Sequence, residues 1–111
     1  MEFGFGRERD AALFNDPRRL RQKYGARCAE KIEARLAQIA AAATLDVLCR
    51  LPQARCHQLV ADRSEQFSLD LDHPRRLIVG VADNPVPRLD DGGIDRSRVQ
   101  RLIFIGIADT H

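Results

Sequence analysis

The sequence of 111 residues, with 44% hydrophobic and 31% charged residues, has the composition of one globular domain. The longest apolar run, residues 102–108, is much too short to cross a bilayer, and the N-terminus shows no export signal. We therefore expect one cytoplasmic domain over residues 1–111, without a membrane partner. The net charge is +2, but residues 1–63 carry twelve Lys and Arg against eight Asp and Glu. This surplus favours phosphates or an acidic protein as a partner.

The N-terminal region predicts a short strand followed by two short helices. Residues 3–6 alternate phenylalanine with glycine, which indicates a strand, and residues 7–14 have a helical pattern. Asp16 followed by Pro17 is a favourable start for a second helix, because aspartate caps a helix and proline fits its first turn. Gly25 predicts the end of that helix.

The clearest helix covers residues 26–43, where apolar side chains recur at steps of three and four residues. We expect the charged residues of this segment, including Arg35, to lie off the packing stripe. The helix should pack closely on a sheet, because alanine is small. The predicted stripe consists of Ala29, Ile32, Leu36, Ile39, Ala40 and Ala43.

From residue 51 onward the pattern changes to a period of two. Residues 67–72 predict a strand with a buried face and a wet face, on which Ser68 and Asp70 lie. A turn at residues 72–74 leads into a returning strand at 76–81, and a turn-rich connection ends in Asp95. Residues 100–109 are apolar on both faces, which is typical of a central strand. Here Leu102 and Phe104 oppose a predicted core stripe of Ile103, Ile105 and Ile107.

Together these elements predict an α+β fold, with the N-terminal helices packed on one face of a small, mainly antiparallel, twisted sheet. Cys28, Cys49 and Cys56 cannot all pair within one chain, which favours a reducing compartment. Cys49 and Cys56 with His57 are an alternative metal site, but their spacing matches no zinc pattern. We predict neither a metal nor a cofactor.

Several segments, in their order and spacing, resemble the HigB-like toxins of the RelE/ParE superfamily, nearest to plasmid-maintenance killer proteins, some of which are labelled killer suppression protein. The resemblance covers nearly the whole chain and implies a RelE-like fold. The segments that carry it are Leu51-Pro52 with Arg55, His57-x-Leu59, Asp62-Arg63 leading into residues 67–71, Arg76-Leu77-Ile78, residues 91–95 and Asp109-Thr110-His111.

This resemblance implies a ribosome-dependent mRNA endonuclease that uses no metal, inhibits translation and is neutralised by an antitoxin. The antitoxin is expected to be a helix-turn-helix protein of the HigA type, through which alone the toxin reaches operator DNA. The resemblance places catalytic residues at His57, Asp109 and His111. Thr110 stands where the family usually has tyrosine, which removes an aromatic face for stacking a base.

Metal-free RNA cleavage needs a base for the 2′-hydroxyl, an acid for the leaving oxygen and a group that holds the phosphate charge. Histidine suits both proton transfers, because an imidazole titrates near neutral pH. Strand alternation predicts that Asp109 and His111 share a face, so that the carboxylate orients the imidazole. We expect His57 and His111 to share acid and base duties. Arginine forks suit phosphate, and the candidates are Arg55, Arg63 and Arg76.

Two other functions stay open. The ParE branch of the superfamily acts on DNA gyrase and lacks the histidine site, so His57 and the terminal Asp-x-His argue against it. A catalytically weak module that binds the antitoxin and tunes repression is the other alternative, and Thr110 and the modest net charge support it. The residues alone favour an ordinary strand-edge histidine for His57 and an ordinary frayed terminus for His111, and only the resemblance favours a functional role. Arg63 and Arg76 are also compatible with pairing to Asp70 or Asp72.

Overall fold

A computed structural model describes residues 1–63 and 65–109 of the chain, and within them it has four α-helices and five strands. None of these helices is long and apolar enough to cross a membrane. Single turns of 3₁₀ helix lie at Ala61–Arg63 and Arg96–Arg98. The helices are α1 (Glu8–Phe14), α2 (Pro17–Tyr24), α3 (Ala26–Ala41) and α4 (Leu45–Cys49), and the strands are β1 (Glu2–Phe5), β2 (His57–Gln58), β3 (Gln66–Asp70), β4 (Arg75–Val81) and β5 (Arg101–Asp109).

The strands form one mixed sheet in the order β1-β5-β4-β3-β2. Only the pairing of β1 with β5 is parallel among these strands, so the predicted α+β fold with a mainly antiparallel sheet is confirmed. One sheet face packs on the buried residues of the helices, and we call it the helix face; it carries Phe67, Leu69, Leu77, Val79 and Leu102. The opposite side, called the second face, carries Ser68, Asp70, Arg76, Ile78 and Gly80, which alternate with them.

Helix α2 has the ends that the sequence predicts. The Asp16 carboxylate accepts hydrogen bonds from the backbone N–H groups of Arg18 and Arg19 at 3.1 and 3.3 Å. Pro17 occupies the first turn, and Gly25 follows the helix with a φ of 84°. That left-handed φ is costly for residues that have a Cβ atom, so glycine fits there.

The Asp16 cap gives a first testable prediction. Asp16→Ala is expected to lower the free energy of unfolding by about 1 kcal/mol, because two N–H donors of α2 lose their acceptor. Urea denaturation followed by circular dichroism measures this loss. Asp16→Asn is the matched control, since it keeps an oxygen acceptor and should retain most of the stability. Equal losses in the two variants would show that the charge, rather than the cap, is responsible.

Helix α3 differs from its prediction in one important residue. Arg35 is buried, with 5% of its surface exposed, whereas Ala40 and Ala43 are exposed. Arg35 lies three residues after Ile32 and four before Ile39, so helical geometry puts it on the buried stripe. The assignment of Arg35 to the exposed side was therefore wrong. The helix also ends at Ala41, two residues earlier than predicted.

Helix α4 was not predicted. Its start is capped by the Thr44 hydroxyl, which accepts a hydrogen bond from the Val47 N–H at 3.4 Å. Leu45 and Leu48 are fully buried. A threonine followed by leucines three residues apart is the local signal for this short helix.

Strand β5 contains an irregularity that changes the direction of its side chains. Ile78 pairs with Gly106, but the next residue, Val79, pairs with Phe104, so Ile105 is an extra residue in β5. An inserted residue of this kind is a β-bulge, and it reverses the alternation of side chains along the strand. Residues of β5 after Ile105 therefore lie on the opposite face from the one that simple alternation assigns to them.

The bulge splits the predicted isoleucine stripe. Ile107 pairs with Leu77 and packs against the helix-side core, together with Phe104. Ile105 instead lies beside Gly80 on the second face and is 48% exposed. The prediction of one continuous core stripe on a single face was therefore wrong, although β5 is an interior strand as predicted.

Candidate active site

A group of polar side chains meets on the second face, where β2, β3 and β4 lie side by side. His57 on β2 pairs with Ser68 on β3, and Asp70 at the end of β3 pairs with Arg76 on β4. The period of two along β3 brings Ser68 and Asp70 to the same face. Arg55 joins them from the loop that precedes β2. Three of the predicted site residues, Arg55, His57 and Arg76, are therefore neighbours.

A series of polar contacts runs from Arg76 through Ser68 to His57 and the backbone of Arg55. The Arg76 Nη1 donates to Ser68 Oγ at 3.4 Å, and Ser68 Oγ lies 3.5 Å from His57 Nε2. His57 Nδ1 lies 3.2 Å from the carbonyl oxygen of Arg55. A carbonyl only accepts, so Nδ1 carries the proton of the neutral ring, and Nε2 is left as the acceptor. The loop carbonyl thus holds His57 in the form that can take up a proton at Nε2.

Ser68 was not a predicted site residue, and its expected wet environment was wrong. Its surface is 0% exposed. A buried hydroxyl needs hydrogen-bond partners, and here His57 and Arg76 supply them. Alternation with the apolar Phe67 and Leu69 correctly predicted which face of the sheet Ser68 lies on. It could not predict that Ser68 is buried on that face.

Two arginines share the carboxylate of Asp70. Arg55 Nε lies 3.4 Å from one oxygen and Arg76 Nη1 lies 3.7 Å from the other. Charge-assisted hydrogen bonds of this type are usually about 2.7–2.9 Å long, so both contacts are loose. The Arg55 side chain is 75% exposed. Both guanidinium groups therefore keep donors that an anion can use, and the pair outweighs the single carboxylate in charge.

A cleft of about 260 Å³ opens beside this cluster. Arg55, Asp70 and Arg76 line it, so the two guanidinium groups border an open space. A phosphate group matches these donors, because a guanidinium can bind two of its oxygens at once. The other residues along the cleft are Leu71, His73, Pro74 and Arg75.

The loop that carries Arg55 is fixed from the helix side. The Arg35 Nε donates to the carbonyl of Asp70 at 2.6 Å, and its Nη2 donates to the carbonyl of Gln53 at 2.8 Å. The Asp70 N–H donates in turn to the carbonyl of Ala54 at 2.8 Å. Arg55 itself has a φ of 45°, in the left-handed region. These bonds hold the loop against β3 and thereby position both Arg55 and the carbonyl that orients the imidazole.

The structure does not bring Asp109 to this cluster. Asp109 pairs with Arg75, which alternates with Arg76 and so points to the helix face. Without the bulge at Ile105, alternation from Ile103 would have put Asp109 on the second face. Asp109, which the resemblance assigns to one catalytic group with His57, therefore lies on the other face of the sheet, because one inserted residue reverses the end of β5. The prediction that Asp109 orients His111 involves a residue outside the described part of the chain.

Electrostatics agree with this position of Asp109. Burial raises the pKa of the Cys28 thiol on α3 to about 12, a hydrogen bond and the charge of Asp72 add to it, and Asp109 contributes further. The hydrogen bond to Asp72 is the main cause that raises the pKa of Arg75, and the charge of Asp109 adds to it. Asp109 thus belongs to a group on the helix side of the sheet.

The remaining predicted residues lie elsewhere. Arg63 belongs to the 3₁₀ turn before β3, whereas Arg76 pairs with Asp70 at the other end of that strand. Four strand residues span about 13 Å, so the structure does not bring Arg63 to Arg76. The predicted His111 and the neighbouring Thr110 lie outside the described residues.

Comparisons with known proteins leave the family open. No protein-family model matches the chain, and no curated protein matches it. Within residues 1–63 and 65–109, no group of three or more His, Cys, Asp or Glu side chains is arranged to hold a metal ion. Membership of the RelE/ParE superfamily therefore stays a prediction from the residues quoted above.

Proposed function

We propose that this chain is a RelE-like, HigB-type toxin that cleaves mRNA on the ribosome and is neutralised by its antitoxin in the cytoplasm. The observation that supports it best is the hydrogen-bonded series Arg76–Ser68–His57 with Arg55 beside it. It combines an oriented imidazole with two guanidinium groups. These supply the base and the charge-holding groups of metal-free RNA cleavage, which also requires a general acid.

In the proposed reaction, His57 Nε2 accepts the proton of a ribose 2′-hydroxyl as that oxygen attacks the adjacent phosphorus. The imidazolium that forms keeps its Nδ1–H on the Arg55 carbonyl and donates its new Nε2–H to Ser68 Oγ, which has a second lone pair for Arg76. Arg55 and Arg76 hold the extra negative charge of the phosphorane. The bond to the 5′-oxygen breaks, and that oxygen takes a proton from a general acid, for which the resemblance suggests His111.

The partners follow from the same proposal. The ribosome presents the mRNA, and the basic surplus of residues 1–63 favours approach to ribosomal RNA. The antitoxin is a helix-turn-helix protein of the HigA type that brings the complex to operator DNA. No cofactor takes part in the proposed chemistry.

The decisive test is lone expression of the chain in a bacterium, followed by mapping of mRNA 5′ ends, and the same mapping in a translation reaction with purified chain. New 5′ ends should arise only on translated mRNA. His57→Ala should lower the cleavage rate by about 10³-fold, because the proton acceptor is lost. Glu33→Ala, an exposed change on α3, is the control and should cleave normally.

Two outcomes would contradict the proposal. Full cleavage by a folded His57→Ala variant would remove His57 from the mechanism. A folded wild-type chain that leaves translated mRNA intact but blocks supercoiling by DNA gyrase would instead favour the ParE-like function.

The antitoxin-binding module is a second candidate, and one observation favours it. Asp109, which the resemblance assigns to the catalytic group, lies on the helix face and not beside His57. A site that lacks this carboxylate is expected to be a weaker catalyst. Growth arrest on lone expression would count against this candidate, and binding of the antitoxin without any arrest would support it.

A further inference from the structure

The fold brings together two cysteines that the sequence keeps apart. Cys49 is the last residue of α4, and Cys56 immediately precedes β2. Their sulfur atoms lie 3.3 Å apart, and both thiols are free. A disulfide joins sulfurs about 2 Å apart, so closing the pair needs a movement of about an ångström.

The two thiols have different environments. Cys56 is 8% exposed, whereas Cys49 is only partly buried. The hydrogen bond with Cys56 lowers the pKa of Cys49, burial opposes that effect, and the charge of Arg96 lowers the pKa further. The pKa of Cys56 is raised by the same hydrogen bond and by burial. Cys49 is thus the more exposed and more readily ionised of the two thiols.

Arg96 is held in place beside the pair. Its guanidinium lies over the Phe67 ring, 5.2 Å from the centroid, and its Nη2 donates to Gln58 Oε1 at 3.2 Å. A cation fixed next to a partly exposed thiol is the environment in which cysteine becomes a nucleophile. The deeply buried Cys28 has no comparable access to solvent, because its surface is 0% exposed.

The thiol pair is directly connected to the candidate active site. Cys56 lies in the chain between Arg55, whose carbonyl holds the imidazole, and His57 itself. A change of backbone conformation at Cys56 would therefore act directly on the 3.2 Å contact that orients His57.

We propose that Cys49 and Cys56 form a redox modification site, in which a disulfide between them switches off the neighbouring His57 site. The regulatory half of this inference rests on the proposed function, whereas the chemistry at the two sulfurs does not. The His57 site is active for cleavage when both thiols are reduced. Small disulfides of the glutathione type oxidise the two thiols.

The reaction proceeds by two exchanges. The Cys49 thiolate attacks one sulfur of the small disulfide, which forms a mixed disulfide and releases one thiolate. The Cys56 thiol then loses its proton to solvent and attacks the Cys49 sulfur, which forms the Cys49–Cys56 bond and releases the second thiolate. Two protein thiols are oxidised, and one small disulfide is reduced to two thiols.

The test uses the intact protein in buffers of oxidised and reduced glutathione, with disulfides mapped by peptide mass spectrometry. The wild-type chain should form the Cys49–Cys56 bond and leave Cys28 unmodified. Cys56→Ser should accumulate glutathione on Cys49, whereas Cys49→Ser should leave Cys56 largely unmodified. This asymmetry is not expected if the cysteines only pack in the core. Cys28→Ala is the matched control and should still form the bond.

Reduced thiols in wild type under oxidising buffer, or a bond that involves Cys28, would overturn the modification site whether or not the chain cleaves RNA. The regulatory half is measured separately, as mRNA cleavage by the oxidised and reduced protein. Oxidation should slow cleavage by about tenfold, since ångström-scale misplacement of a catalytic group has effects of this size or larger. An unchanged rate in the fully oxidised protein would overturn the regulation and leave the modification site standing.

Discussion

Replacing Arg76 by alanine is expected to lower the rate of mRNA cleavage by about 10²–10³-fold, the usual loss when one charge-stabilising donor is removed. Arg76 has two tasks in the proposed site. Its guanidinium holds the phosphate charge, and its Nη1 donates to Ser68 Oγ, which fixes that oxygen 3.5 Å from His57 Nε2. The alanine variant loses both tasks at once.

The lysine variant separates charge from geometry. Arg76→Lys keeps a positive charge but loses the planar fork that binds two oxygens, so it should recover only part of the rate. The measurement is single-turnover cleavage of a defined mRNA on purified ribosomes. Arg98→Ala is the matched control, because Arg98 pairs with Asp95 in the 3₁₀ turn, and it should cleave at the wild-type rate. Cleavage by Arg76→Ala within twofold of wild type, at unchanged stability, would exclude Arg76 from the site.

Asp70 holds the two arginines of the cluster side by side. It lies between Arg55 and Arg76 at distances too long for tight pairing. A carboxylate in that position reduces the repulsion between two neighbouring cations. A phosphate that enters the cleft is more highly charged and can satisfy the donors that Asp70 leaves free. The cluster is thus arranged for binding an anion and is not saturated as an ion pair.

The sequence was sufficient where local signals decide the structure. The ends of α2 follow from Asp16, Pro17 and Gly25, which act through their own backbone and nearest turns. The hairpin of β3 and β4 follows from alternation and the turn between them. Neither feature needs information from a distant part of the chain.

The sequence was insufficient where pairing between distant segments decides. The bulge at Ile105 arises from the fit between β4 and β5. The adjacent Gly106 is a residue type that often marks a bulge, but it does not determine which residue is inserted. Alternation therefore predicted the wrong face for Asp109. The burial of Ser68 likewise depends on His57 and Arg76, which come from two other strands. The sequence therefore predicted the types of residue in the candidate site, but it included Asp109 and missed Ser68.

Arg35 is the clearest case of a residue whose role only the fold reveals, and Arg35→Met is expected to lower the free energy of unfolding by about 3 kcal/mol. The substitution leaves the carbonyls of Asp70 and Gln53 without their donor, and each unsatisfied buried group costs about 1–3 kcal/mol. Methionine keeps much of the hydrophobic packing of the side chain. The loss therefore measures mainly the hydrogen bonds that tie the loop before β2 to α3.

The comparison that tests this argument is Arg27→Met, the same change at an exposed position of the same helix, which should alter stability by less than about 0.5 kcal/mol. Arg35→Lys should fall between the two, because an ammonium group keeps the charge but cannot reproduce the spread of the guanidinium donors. Urea unfolding of the three variants gives the free energies. If Arg35→Met unfolds at the wild-type urea concentration, the hydrogen bonds from Arg35 do not stabilise the loop that carries Arg55. The backbone bond between Asp70 and Ala54 would then be the better-supported tie between this loop and β3.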